Sequence, residues 1–191
     1  MKGLKIVSTG RALPAKVVTN DDMSRLVETS DEWIASRTGI RTRHFCEGET
    51  QADLAAGAAS AALERGEVDV KDLGACIVAT VTPDCSAPTS ACLLQQRLGL
   101  PEDIPCFDMN VGCTGFIYAL QVARGFLLQS NRPYALVIGA EALSHITDFT
   151  DRGTCVLFGD GAGAAVVTLE EDSLYACTLG ARGDAEAIFI E

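Results

Sequence analysis

Apolar positions recur along this chain with two periods, one typical of strands and the other of helices. Short apolar runs predict strands over residues 5–8, 75–81, 134–139, 155–158, 164–169 and 174–179. Helical spacing predicts helices over residues 21–27, 31–38, 51–66, 90–98 and 114–129. Because strands alternate with helices, the predicted fold class is α/β, with helices covering a mixed sheet.

Local capping signals define where several of these helices begin. Asn20, Ser30 and Thr89 are predicted N-caps, because their short polar side chains can accept a hydrogen bond from the first turn. Thr50 and Asp53 have the spacing of a capping box. Glycines follow the second and fourth helices, where a left-handed residue commonly ends a helix.

The stretch from Ile104 to Phe116 predicts a short strand, a tight turn and the start of a long helix, with Cys113 at the joint. Gly112 and Gly115 flank this cysteine and permit a sharp turn. The helix over residues 114–129 has Arg124 as its only charged residue, which is typical of a helix buried on all sides. We therefore expect a low-dielectric interior around Cys113.

Two interpretations of Cys113 follow from this pattern. The N–H groups at the start of the helix would lower the pKa of the Cys113 thiol and produce a nucleophilic thiolate. Most free cysteines, in contrast, act as small buried hydrophobic residues. The local pattern alone leaves both interpretations open.

Composition and charge restrict the classes of function. The chain has 191 residues, of which 48% are hydrophobic, so it is expected to be globular and to form one domain or part of a larger one. No apolar run is long enough for a membrane span, and residues 1–10 lack the apolar segment of a signal peptide, so we expect a cytoplasmic protein. The net charge of −11 argues against binding to nucleic acid. Phosphate binding stays possible, since Arg37, Arg41 and Arg43 lie close together.

Cysteine spacing and the pattern after the glycine-rich segment argue against two further functions, metal binding and nucleotide binding. The eight cysteines include no CxxC pair, and neither His44 nor His145 has zinc-like spacing to them, so no metal site is expected. The segment Gly159–Gly163 resembles a nucleotide loop, but a strand pattern follows it instead of a helix. We interpret it as a tight turn between two strands.

Four stretches together resemble the N-terminal half of β-ketoacyl-acyl-carrier-protein synthase III. They are Thr29–Ile34 continuing to Arg37–Arg41, Asp108–Phe116, Thr150–Thr154 and Phe158–Val166. The resemblance implies a thiolase-like fold, with residues 1–170 forming its N-terminal half and residues 171–191 beginning a truncated or absent C-terminal half. It also implies transferase activity in fatty-acid biosynthesis, with acyl-CoA and malonyl-acyl carrier protein as partners, no added cofactor, and a homodimer.

The resemblance also assigns roles to particular residues. Cys113 matches the nucleophile that accepts an acyl group from acyl-CoA, and its backbone N–H is placed to donate to the oxyanion. Trp33 and Arg152 would enclose the CoA adenine, Arg37 would contact the phosphates, and Thr29 would hydrogen-bond nearby. These residues are the expected catalytic and CoA-binding set.

The family's catalytic histidine and asparagine belong to the C-terminal half, which is absent from this sequence, and neither His44 nor His145 stands in the matching context. Three hypotheses therefore stay open. The first is a synthase III present as a fragment, a truncated product or half of a split enzyme. The second is a non-condensing acyl-thioester binder or acyltransferase that uses Cys113 alone, and the third is an inactive structural or interaction protein with the same fold.

Overall fold

The computed structural model describes residues 2–184 and 186. Its strands are β1 (Gly3–Ala12), β2 (Lys16–Thr19), β3 (Thr42–Phe45), β4 (Leu73–Ala79), β5 (Cys106–Met109), β6 (Tyr134–Ala142) and β7 (Asp160–Glu170). Its α-helices are α1 (Asn20–Met23), α2 (Asp31–Thr38), α3 (Gln51–Gly66), α4 (Ser90–Leu98), α5 (Gly115–Leu127) and α6 (Arg152–Cys155).

Five strands form a mixed sheet in the order β1-β7-β6-β4-β5. Strand β4 runs parallel to β5 and β6, whereas β7 is antiparallel to both β1 and β6. The predicted α/β class and mixed sheet are therefore confirmed. Strands β2 and β3 form a separate antiparallel pair that the sequence pattern did not indicate.

Helices cover both faces of the sheet. Helices α3 and α4 pack on one face, around an apolar cluster that includes Leu94, Leu136 and Val166. Helix α5 packs on the other face, where Ala119 and Ala123 belong to a second cluster. The sheet therefore has a helical layer on each side, as expected for strands with continuous apolar runs.

Helix α5 is buried along one stripe only. Its fully buried residues recur every fourth position, at Gly115, Ala119, Ala123 and Leu127, whereas Ile117 is 53% exposed. Within the described chain the expected burial of this helix is met on one face only, because the sheet covers that face. An apolar outer face remains.

A third apolar cluster joins α1, α2, the β2–β3 pair and α6. Met23, Ile34 and Cys155 are its fully buried members, and Trp33 packs against it. Arg43 links this unit to α6, because its guanidinium donates to the carbonyl oxygen of Val156 over 2.9 Å. The cluster places α2 beside α6.

Three capping predictions are confirmed and one is wrong. The side chains of Ser30, Thr50 and Thr89 accept hydrogen bonds from the first turns of α2, α3 and α4. Asn20, in contrast, is the first residue of α1, and Thr19 caps the helix. Asn20 instead donates to the carboxylate of Asp31 and is almost fully buried, so tertiary contacts decide its position.

The end of the chain differs most from the sequence pattern. Cys155 ends α6 and does not begin a strand, and the predicted turn Gly159–Gly163 is mostly part of β7. Gly163 pairs with Arg11 on one side and Gly139 on the other, so two strands hold the glycines extended. No strand occurs between 171 and 184, where 174–179 was predicted. The predicted boundary at residue 170 stays a prediction, and 185 and 187–191 lie outside the described residues.

Candidate active site

Cys113 lies in a short 3₁₀ turn, Gly112–Thr114, between β5 and α5. Gly112 has a φ of 55°, a left-handed conformation that a residue with a side chain rarely adopts. The hydroxyl of Thr114 donates to the carbonyl oxygen of Val111 over 3.3 Å and fixes the turn. The predicted strand, turn and helix are therefore present, with the cysteine at the joint.

A close approach anchors the start of α5 to the sheet. A Cβ atom added to Gly115 would lie 3.0 Å from the Cβ of Ala79, so glycine permits this contact. Cys113 itself is exposed. The expected low-dielectric surroundings are thus wrong for the described chain, because only one face of α5 is covered.

The site lies at the carboxyl edge of the parallel strands. Cys113 follows β5, the segment 143–151 follows β6, and Thr80–Thr82 follows β4. The carboxyl ends of parallel strands meet at one edge of a sheet, which is where ligands bind in α/β folds. The topology therefore brings Cys113 and the segment leading to Arg152 to the same edge.

Glu141 fixes this edge, and the sequence analysis missed it. Its carboxylate accepts hydrogen bonds from the backbone N–H groups of Val81 over 2.9 Å and Thr82 over 3.1 Å. The Thr82 hydroxyl donates to the same carboxylate over 2.5 Å. The signal available in the sequence was a single acidic residue, Glu141, near the end of an otherwise apolar strand. Glu141 holds the segment after β4 to the end of β6.

Two of the predicted CoA-binding residues, Arg37 and Arg152, contact Trp33. The guanidinium carbon of Arg37, one turn further along α2, lies 4.5 Å from the centroid of the indole ring. That of Arg152, the first residue of α6, lies 4.3 Å from it. Both distances are typical of cation–π contacts. The Arg37 contact joins residues four apart on one helix, whereas the Arg152 contact depends on the fold.

The contact between Arg152 and Trp33 differs from the expected arrangement. The resemblance places an adenine ring between these two side chains, whereas here they touch directly. Entry of a planar base between them requires the exposed Arg152 side chain to move. The fourth residue, Thr29, has a buried hydroxyl with no hydrogen-bond partner among the described residues. That hydroxyl is a free polar group close in sequence to the stacked side chains.

The other arginines of the predicted phosphate cluster are already engaged. Arg41 forms an ion pair with Asp31. Arg43 is buried and donates to the side-chain oxygen of Asn20 over 2.9 Å. The three arginines that lie close together in sequence therefore make separate contacts in the fold.

Neither histidine serves Cys113 within the described chain. A ring nitrogen of His44 lies 2.6 Å from the carbonyl oxygen of Pro14, and His145 is exposed at the end of a short turn after β6. No hydrogen bond joins either ring to Cys113 among residues 2–184. No set of three His, Cys, Asp or Glu side chains in this region is arranged to hold a metal ion, and no described helix is long and apolar enough to cross a membrane.

A solved structure shows which class of protein this fold defines. The crystal structure of 3-oxoacyl-[acyl-carrier-protein] synthase III from Aquifex aeolicus matches with a TM-score of 0.84 and 47% identity, over 89% of this chain and 55% of that one. The fold and the cysteine turn therefore define the N-terminal portion of a thiolase-like α/β protein.

Sequence comparisons then identify the family. Residues 107–183 match the family model for 3-oxoacyl-[acyl-carrier-protein] synthase III. β-Ketoacyl-[acyl-carrier-protein] synthase III of Clostridium beijerinckii is 52% identical over 171 residues, which are 90% of this chain and 53% of the relative. That of Xylella fastidiosa is 53% identical over 172 residues, 88% of this chain and 52% of the relative. The chain belongs to the β-ketoacyl-acyl-carrier-protein synthase III family and spans about half the length of these curated relatives.

Proposed function

We propose that this chain supplies the acyl-accepting half of a β-ketoacyl-acyl-carrier-protein synthase III, an acyltransferase that initiates fatty-acid synthesis. The observation that carries the proposal is the exposed Cys113 in its glycine-flanked turn, at the start of α5 and the carboxyl edge of the sheet. The relatives' names support the reaction class.

In the first step, the Cys113 thiolate attacks the thioester carbonyl of acyl-CoA. The tetrahedral intermediate then collapses, so that the CoA thiolate leaves and an acyl group stays on Cys113. Thiolates of similar pKa make good attacking and leaving groups in such an exchange. The backbone N–H of Cys113 is our candidate donor to the oxyanion that forms during this step.

In the second step, malonyl-acyl carrier protein loses CO₂, and the resulting carbanion attacks the acyl group and regenerates the thiol. The histidine and asparagine that the resemblance implies for this step belong to the C-terminal half of the family. On this proposal, condensation therefore also needs that histidine and that asparagine.

We assign CoA recognition to Thr29, Trp33, Arg37 and Arg152. The indole ring and the two guanidinium planes offer stacking surfaces for a base, and the arginines offer charge for phosphates. The unpartnered Thr29 hydroxyl supports a hydrogen bond to the ligand. On this proposal the Arg152 side chain leaves the ring when the base enters.

The test is the intact mass of the chain after incubation with acetyl-CoA, followed by peptide mapping. We expect one acetyl group, on Cys113, and none on the Cys113→Ala variant. Cys85→Ala is the matched control, because Cys85 is also exposed but lies in a different loop. The full-length C. beijerinckii relative serves as the positive control. Acetylation that persists in Cys113→Ala would refute the assignment of the nucleophile.

The second candidate is acyl transfer without condensation. It is favoured by the positions of the two histidines, neither of which hydrogen-bonds to Cys113 within the described residues. Adding malonyl-acyl carrier protein to the acetylated chain separates the two functions. Release of CO₂ with a β-ketoacyl product supports the synthase, whereas a stable acetyl-Cys113 supports the transferase. Absence of both acylation and CoA affinity supports the inactive interaction protein.

The remaining assignments rest on the same proposal. We propose a cytoplasmic homodimer that needs no added cofactor and binds neither nucleic acid nor membrane. The net charge of −11 supports the exclusion of nucleic acid. Size-exclusion chromatography with light scattering tests the oligomeric state.

A further inference from the structure

Three cysteines lie together where α4 packs on β4 and β5. Cys76 on β4 and Cys106 on β5 are paired in register across two parallel strands. Cys92 on α4 lies above them, with its sulfur 3.6 Å from the carbonyl oxygen of Cys106. Cys76 and Cys106 belong to the apolar cluster on this face of the sheet, and neither takes part in the proposed acyl transfer.

The geometry of the Cys76 and Cys106 pair suits a disulfide. Neighbouring strands lie about 4.8 Å apart, and disulfides join residues with Cα atoms about 4.4–6.8 Å apart. Residues in register on parallel strands project to the same face of the sheet, and both of these side chains pack against the same apolar cluster. The two side chains are therefore on the same side of the sheet, at a Cα spacing that a disulfide can span.

The two thiols differ in their accessibility and in the direction of their pKa shifts. Cys76 is completely buried, whereas Cys106 is half-buried on β5, the edge strand of the sheet. The hydrogen bond from the Cys76 thiol lowers the pKa of Cys106. The same contact, together with burial, raises the pKa of Cys76 well above its usual range. Cys106, on the edge strand and partly exposed, is thus the thiol that an oxidant meets first, and Cys76 is the thiol behind it.

We propose that Cys76 and Cys106 form a peroxide-dependent disulfide site, separate from the acyl-accepting cysteine. The Cys106 thiolate attacks an oxygen of hydrogen peroxide, and the O–O bond breaks to give a sulfenic acid and hydroxide. The Cys76 sulfur then displaces hydroxide from the Cys106 sulfur and loses its proton. In total, two thiols and one peroxide give one disulfide and two waters.

The surroundings favour this pair over one that includes Cys92. Cys92 contacts the backbone of Cys106, and it also lines a cleft of about 330 Å³ with Gln95 and Gln96 beside α4. Cys92, however, lies on a helix, whereas adjacent strands hold Cys76 and Cys106 side by side.

The test is treatment of the folded chain with hydrogen peroxide, alkylation of the remaining thiols, and digestion without reductant. Mass spectrometry should identify a cross-linked peptide pair that contains Cys76 and Cys106 and is lost after dithiothreitol. The same treatment of the chain unfolded in urea should lose this selectivity. A Cys106 that is alkylated, oxidised to sulfinic acid or linked to Cys92 in the folded chain would overturn the proposal.

Two variants test the order of the steps. In Cys76→Ser the sulfenic acid of Cys106 has no thiol to condense with, so its labelling by dimedone should rise severalfold over that of the unaltered chain. Cys46→Ser is the matched control, because Cys46 is also partly buried but its amide binds Asp160, far from this pair in sequence. It should keep the full yield of cross-link. Unchanged dimedone labelling in Cys76→Ser would contradict the role of Cys76.

Discussion

Replacing Asp108 with alanine should lower the free energy of unfolding by more than the partial burial of this residue suggests. Asp108 is on β5, and its two carboxylate oxygens accept hydrogen bonds from the first turn of α4. The N–H of Ser90 donates over 2.7 Å and that of Ala91 over 2.8 Å. The alanine variant leaves both N–H groups without an acceptor and removes a negative charge from the helix N-terminus.

The magnitude follows from these contacts. A hydrogen bond to a charged group contributes about 1.5–3 kcal/mol, and a charge near a helix terminus adds about 0.3–1 kcal/mol. Because Asp108 is only partly buried, we take the lower end of each range for its two bonds. The expected loss is then about 3 kcal/mol of the free energy of unfolding. Asp108→Asn keeps one acceptor oxygen and should lose less than the alanine variant.

Urea denaturation followed by circular dichroism measures this loss. With a slope of about 2 kcal/mol per molar urea, the unfolding midpoint should fall by about 1.5 M. Asp103→Ala is the matched control, since its carboxylate forms an exposed ion pair with Arg132, and such a pair contributes at most about 1 kcal/mol. Equal midpoints for the two alanine variants would refute the reasoning, because the buried N–H groups would then carry no cost.

Three further predictions concern other parts of the chain. Trp33→Ala should weaken CoA binding about tenfold in calorimetry because the stacking surface is lost, while Arg41→Ala, whose arginine pairs with Asp31, should not. Gly10→Ala should cost about 3 kcal/mol or more in thermal unfolding, since its Cβ would lie 2.1 Å from a carbonyl oxygen of α3. Hydrogen bonds from Thr50 lower the pKa of Asp53 below 3.8, so its stabilisation holds above that pH and disappears as the pH falls through the lowered value. In acid unfolding, the difference in the free energy of unfolding between the unaltered chain and Asp53→Asn should shrink as the pH falls through this value.

The helix boundaries were largely predictable from the sequence, because a cap depends on residues within one turn of each other. Thr50 and Asp53 form the predicted capping box, and Thr89 caps α4 as expected. The cysteine turn was predictable for a similar reason, since Gly112 and Gly115 mark it within a few residues. The identity of the nucleophile and the CoA-binding set came from the resemblance, and they stay proposals.

Tertiary structure alone decided the features that join distant parts of the chain. Residues 159–163 resemble a turn locally, yet β1 and β6 pair with most of them and extend them as a strand. Arg152 contacts Trp33 only because the third apolar cluster places α6 beside α2. Cys76 lies beside Cys106 only because β4 and β5 pair in the sheet. A local pattern records the preference of one segment. Contacts across the chain depend on which segments share a core, and that is determined only when all of them fold.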